Sequence, residues 1–166
     1  RPQSEAGDRM ISKIYAGICA RKTPPQTIEF MTAFAFDLQR MGWWLSSGGA
    51  AGADTAFEVG AADQKMIYHA KDATPAALEL AAKFHPAWHH CDDHARALHA
   101  RNGMIVLGPQ LDTPVKFVAC WTQAGLAGGG TGQALRIAAA YDIPVFNFFD
   151  QGAVGALANF IKHQGE

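Results

Sequence analysis

Apolar positions along the chain recur in two rhythms, short continuous runs and longer stretches stepped by three and four, and the two alternate from one end to the other. "ISKIYAGICA" (Ile11 to Ala20) is short and partly β-branched, which predicts a first strand. Behind it, Thr23 is placed to cap a helix, the prolines of "RKTPPQ" fit its first turn, and Gln26 completes a Thr-x-x-Gln capping box. Ile28, Met31, Phe34, Leu38 and Met41 then form one apolar face ending at Gly42, and Phe30, Phe34 and Phe36 are most simply core. "WWLSS" predicts a second strand, "GGAAGADTAFEVGAA" a glycine turn into a helix, and "KMIYHA" (Lys65 to Ala70) a third strand. Helices are predicted over Pro75 to Lys83 and Asp92 to Asn102, separated by "FHPAWHHC". "MIVLG" and "VKFVACW" are continuous apolar runs of the kind found in strands buried on both faces. "GLAGGGTG" leads into the helical "QALRIAAAY", "IPVFNFF" is the last predicted strand, and Ala153 to Lys162 the terminal helix.

Strands that alternate with helices imply an α/β fold: a single Rossmann-like, doubly wound and mostly parallel sheet with helices on both faces, spanning residues 11–166. Residues 1–10 are expected to be disordered or tag-like. Of the 166 residues, 49% are apolar and 17% charged, a globular composition. No apolar stretch reaches the length of a membrane span and no signal-type segment is seen, so a cytoplasmic protein that does not enter the membrane is expected. The three cysteines, Cys19, Cys91 and Cys120, include no CxxC pair, which suits a reducing compartment. Formal net charge is −1, so any hold on nucleic acid must come from a local patch or from assembly of several copies.

In such sheets ligands bind beyond the carboxyl ends of the strands. Three loops fall there: "GICARKT", "SSGGAAGAD" and "GLAGGGTGQ". Glycine lets backbone amides approach an anion, and the helix N-terminus that follows attracts negative charge. The competing reading is that these glycines only make tight turns and helix caps. Neither a Walker loop nor a GxGxxG fingerprint is present. Arg21, whose guanidinium suits phosphate, stands where a helix dipole disfavours a cation, a local conflict that points to function. Asp54 either favours its helix N-terminus or serves a ribose or loop, and Glu58 is a candidate carboxylate or a structural one. His85, His89, His90, Cys91 and His94 are dense, but Pro86 breaks the run and no zinc-finger spacing appears. A pocket rim or a capping role is expected for them, and no metal; Asp92 suits the N-cap of the next helix.

"GGAAGADTAFEVGA", "HPAW…ARALHARN" and "CWTQAGLAGGGTGQALRIAAAYDIPVFN" resemble the Rossmann-like SLOG superfamily, which joins the LOG phosphoribohydrolases with the DNA-processing DprA proteins. The chain looks most like the small DprA-like recombination-mediator proteins of bacteriophage genomes, over roughly Ile14 to Asn147, which implies a bacterial cytoplasm and a phage-encoded origin. The resemblance implies a nucleotide-type pocket and nominates Gly17, Arg21, Ser47, Gly48, Gly49, Gly52, Asp54, Arg101, Asn102, Gly129, Gly130, Thr131 and Gly132 as its ligand-binding residues. Two departures stand out. Where relatives tend to read Gly-Ser-Arg, this chain has Cys19-Ala20-Arg21, and where the phosphoribohydrolases carry a glutamate after the late glycine loop, it has Gln133 and Arg136. Neither replacement is a carboxylate base, so enzymatic cleavage would have to use Asp54 or Glu58. The expected ligand is a nucleotide or nucleotide-derived molecule bound without a cofactor. The alternatives are single-stranded DNA held by a homo-oligomer, through Arg96, Arg101, Lys116, Trp88 and Trp121, or a sequestered nucleotide signal.

Overall fold

The computed structural model describes residues 13–49, 53–123 and 129–164. Its centre is β1 (Ile14–Cys19), which receives β2 (Trp44–Ser47) on one side and β4 (Val118–Trp121) on the other. The short strands β3 (Lys65–Ile67) and β5 (Val145–Asn147) complete a five-stranded, all-parallel sheet in the order β3-β2-β1-β4-β5. The helices between them are α1 (Pro25–Arg40), α2 (Ala53–Ala61), α3 (Pro75–Phe84), α4 (Asp93–Leu107), α5 (Gly129–Ala140) and α6 (Ala153–His163). This is a Rossmann-like α/β architecture.

The period of two along each strand divides the core. Tyr15, Leu45, Ala119 and Trp121 face one layer, where α1, α2 and α6 bury Met31, Leu38, Phe57 and Leu157. Ala16, Ile18, Val118 and Cys120 face the other, against Ile105 to Leu107 of α4 and Ala134, Ile137 and Ala138 of α5. Helix α3 stacks outside α4 through the small residues Ala77, Ala81 and Ala100.

The run "MIVLG" is not a strand. Met104 to Leu107 form the last turn of α4, and Ala100 and Asn102 to Leu107 are all buried. A helix enclosed on every side is apolar all round, so its sequence has the texture of a buried strand. The helix begins where Asp92 accepts the Ala95 N–H at 2.8 Å and stops at Gly108, in the left-handed region at φ +84°. The late glycine segment therefore follows the fourth strand.

Helix α1 also starts differently. Its cap is Pro24, one residue past Thr23; the proline side chain has no acceptor to offer, and the Thr23 hydroxyl donates to the Ala20 carbonyl at 2.6 Å and closes the turn after β1. On that helix Phe30 and Phe36 are exposed and Met41 lies beyond its end, leaving Phe34 half-buried against Tyr15. β3 ends at Ile67, and Ala70 to Asp72 form a 3-10 turn. Among the described residues no helix is long and apolar enough to cross a membrane.

Helices α1 and α2 touch backbone to backbone at Gly60, where a Cβ would run into the Thr32 carbonyl oxygen and stand 2.8 Å from the Phe36 nitrogen. Gly60→Ala is expected to destabilise the protein by about 2 kcal/mol, a fall in Tm of ~4–8 °C. Gly155→Ala, on an exposed face of α6 with open space around it, is expected to stabilise by roughly 0.5–1 kcal/mol. Thermal and urea unfolding of the two variants checks both signs.

Candidate functional site

The chain leaves β1 towards one side of the sheet and β4 towards the other, which opens a crevice at their carboxyl ends. A cavity of about 430 Å³ occupies it. Its walls are Ile18 to Arg21 beyond β1, Gly48 after β2, Asp54 in the first turn of α2, and Gly129 to Thr131 in the first turn of α5. The remaining wall is a stripe of α4, in which Ala95, Leu98, His99, Arg101, Asn102 and Ile105 recur at helical steps.

Hydrogen bonds from that stripe organise the loops. The Arg101 Nη1 donates to the Gly48 carbonyl at 2.8 Å and to the Tyr68 carbonyl at 3.2 Å, tying together the ends of β2 and β3. Burial works against its charge and lowers its pKa, while the Asp54 carboxylate works the other way. Asn102 Nδ2 donates to the Gly130 carbonyl at 3.2 Å, fixing the start of α5. Gly130 lies close to it: a Cβ would come within 2.9 Å of that amide nitrogen, and the Asn102 side chain would have to shift. Asp54, buried, accepts the Cys19 N–H at 3.2 Å and so joins the β1 loop to α2, whose N-terminal dipole favours a carboxylate. Burial, and after it the Asp54 charge, pushes the Cys19 thiol far up and keeps it protonated.

Of the residues nominated from the sequence, Arg21, Gly48, Asp54, Arg101, Asn102, Gly129, Gly130 and Thr131 line this cavity together. Gly17, Ser47, Gly49 and Gly132 do not. The Ser47 hydroxyl donates to the Gly17 carbonyl at 2.8 Å inside the sheet, and Gly17 packs so closely that a Cβ would meet Leu45 and Phe57 at 2.8 Å. Gly49 is exposed with φ +63°, Gly132 is buried within α5, and Gly52 lies outside the described residues, as do Gly128 and residues 1–10. Glu58 stands off the wall, 3.7 Å from the Lys65 ammonium. Gln133 is fully buried, donating to the Ala81 carbonyl and accepting from Arg136, a brace between α3 and α5.

The basic groove expected from Arg96, Arg101, Lys116, Trp88 and Trp121 is not assembled. Trp121 is buried in the core, Arg101 is held by two carbonyls, and Lys116 sits at the opposite end of the sheet, its N–H donating to the Ile14 carbonyl. Arg96 does lie over the Trp88 ring, 5.1 Å from its centroid.

Leu98, His99 and Ile105 were not nominated from the sequence. The step from Ala95 through Leu98 and Asn102 to Ile105 carries that signal, but it is hidden once the helix is ended at Asn102. The pKa of His99 is lowered by burial first and then by His85, Arg136 and Arg101, which leaves a neutral imidazole at neutral pH.

No protein-family model matches this chain, and no curated protein matches it in sequence. Among solved structures it is similar to DNA processing protein A from Helicobacter pylori, whose structure was described for its single-stranded DNA binding mode. The TM-score is 0.59 at 17% identity, over 91% of this chain and 74% of that one. At this identity the likeness establishes the shared fold.

The two arginines of the wall differ in what holds them. Arg101→Met strips two part-buried carbonyls of a charged donor and is expected to cost roughly 1.5–3 kcal/mol. Arg21 is exposed and makes no hydrogen bond or ion pair with a described residue, so Arg21→Ala should change stability by less than about 0.5 kcal/mol. Urea denaturation of both variants measures the difference.

Proposed function

We propose that the cavity between β1 and β4 binds the phosphate of a nucleotide, free or as one unit of a single-stranded nucleic acid. The observation that carries this reading is Arg21. It is a guanidinium exposed on a cavity wall, unpaired among the described residues, opposite the first turn of α5 with its glycine backbone. Free N–H groups and the dipole of that turn attract an anion, and the guanidinium supplies a forked charged donor. Two guanidiniums against one carboxylate leave the wall net positive although the whole chain is near neutral. The volume suits a mononucleotide, since small-molecule sites run from about 300 to 1,000 Å³.

The single-strand form of this reading is supported by the similarity to a DNA processing protein whose described activity is single-stranded DNA binding. A site of this size contacts few phosphates. Affinity for an oligonucleotide should then fall with salt at a slope of about −0.7 to −1.4 on logarithmic axes, the value for one or two phosphates on a single strand.

Asp54 is the carboxylate on the wall and the group on which a hydrolytic function would depend. Its hold on the Cys19 N–H favours a positioning role in the binding reading. Turnover of a nucleotide that Asp54→Asn abolishes with binding retained would select hydrolysis instead.

Fluorescence anisotropy with labelled mononucleotides and short oligonucleotides tests the assignment. Arg21→Ala is expected to weaken binding roughly ten- to a hundredfold with the fold intact, and Gly130→Asp, which sets a carboxylate at the start of α5, to abolish it. Unchanged affinity in both variants, or a salt slope steeper than about −3, would place binding elsewhere.

A further inference from the structure

Three potential metal ligands converge beside the cavity from three separate elements. His85 caps the end of α3, Cys91 follows the 3-10 turn Trp88–His90, and His99 stands on α4. The packing of Ala77 and Ala81 against Ala100 and Met104 brings α3 alongside α4, and one ligand atom from each residue lies within 4.8 Å of the other two. From this juxtaposition we infer that His85, Cys91 and His99 form a binding site for a zinc-type divalent metal ion.

The geometry is close to what coordination needs. Zinc–sulfur bonds of about 2.3 Å and zinc–nitrogen bonds of about 2.0–2.1 Å, set tetrahedrally, hold donors about 3.3–3.6 Å apart. Cys91 Sγ already lies 3.9 Å from His85 Nε2. A thiolate with two imidazoles is a donor set suited to zinc, and three protein ligands leave a fourth position open. The Nδ1 of His99 is buried without a hydrogen-bond partner among the described residues, a state that folded proteins avoid.

The neighbouring histidines are excluded by the same geometry. His89, His90 and His94 are exposed, and the first two stack on one another with centroids 4.0 Å apart. The fold therefore selects two residues of the dense segment, His85 and Cys91, and recruits His99 from a turn of α4 outside it.

Loading the site moves two protons. His85 Nδ1 accepts the Ala87 N–H at 3.1 Å, which places the imidazole proton on Nε2. Coordination through Nε2 shifts that proton to Nδ1 and gives up the Ala87 bond, while the Cys91 thiol loses its proton to water as the metal–sulfur bond forms. One proton is released per metal and no redox change occurs. Arg136 and Arg101 bear on His99 with positive charge. A dication is held against them only with the thiolate's negative charge, so binding depends most on Cys91.

Titration of the chelator-treated full chain with Co²⁺ tests the site. One equivalent per chain is expected to bind, with a thiolate-to-cobalt charge-transfer band that Zn²⁺ then bleaches. Cys91→Ser should remove the band, His85→Gln and His99→Gln should each weaken Co²⁺ binding more than tenfold, and the triple change of His89, His90 and His94 to Gln should leave it unaltered. Far-ultraviolet circular dichroism establishes that each variant is folded, and the wild-type titration decides the matter even if one is not. Absence of the band in the wild-type chain, its survival in folded Cys91→Ser, or its loss in the triple variant would each overturn the inference. None of these readouts uses a nucleotide, so the result is independent of the proposed phosphate site.

Discussion

The enclosure of the C-terminal half of α4, Ala100 and Asn102 to Leu107, is the constraint on which the rest of the structure depends. Where the sheet, α3 and α5 enclose this helix, an unpaired buried polar group costs more than a hydrogen bond returns. Arg101 therefore reaches the carbonyls after β2 and β3, Asn102 the first turn of α5, and the Ile105 carbonyl receives the Ser46 hydroxyl at 2.7 Å. Loops that would otherwise be set only by their own turns are referenced to one rigid rod. The shape of the crevice follows from that packing.

The same helix explains what could and could not be read from the sequence. The alternation of strand and helix was visible because β1, β2 and β4 are apolar runs bounded by turn residues, and because α1 shows its face at Ile28, Met31 and Leu38. The parallel, doubly wound class follows from that alternation. "MIVLG" misleads because periodicity marks a helix only when one side meets water. The capping box at Thr23 failed for a different reason: the helix starts one residue later, with Pro24 at the cap, and the Thr23 hydroxyl serves the turn before it.

For the candidate site, sequence spacing could nominate loops but could not separate residues that face a cavity from those that hold it together. Gly17 and Ser47 belong to the same motifs as Gly48 and Asp54, yet they serve the close packing of β1 against β2 and α2. Arg21 and Arg101 are chemically identical; the difference is that one is exposed and the other spent on two carbonyls. The His85–Cys91–His99 cluster was likewise hidden, since its members become neighbours only when α3 lies against α4. Contacts between elements are long-range properties, and linear patterns do not encode them directly.

The proposed site holds a nucleotide phosphate between the β1 loop and the start of α5. Two-dimensional ¹H–¹⁵N NMR of the full chain, titrated with a nucleoside monophosphate and then with a short single-stranded oligonucleotide, tests it most directly. Saturable shifts concentrated at Arg21, Gly48, Gly130 and Thr131 are expected, with the exposed face of α6 unmoved. Shifts centred instead on Trp88 and Arg96, or none with either ligand, would contradict it.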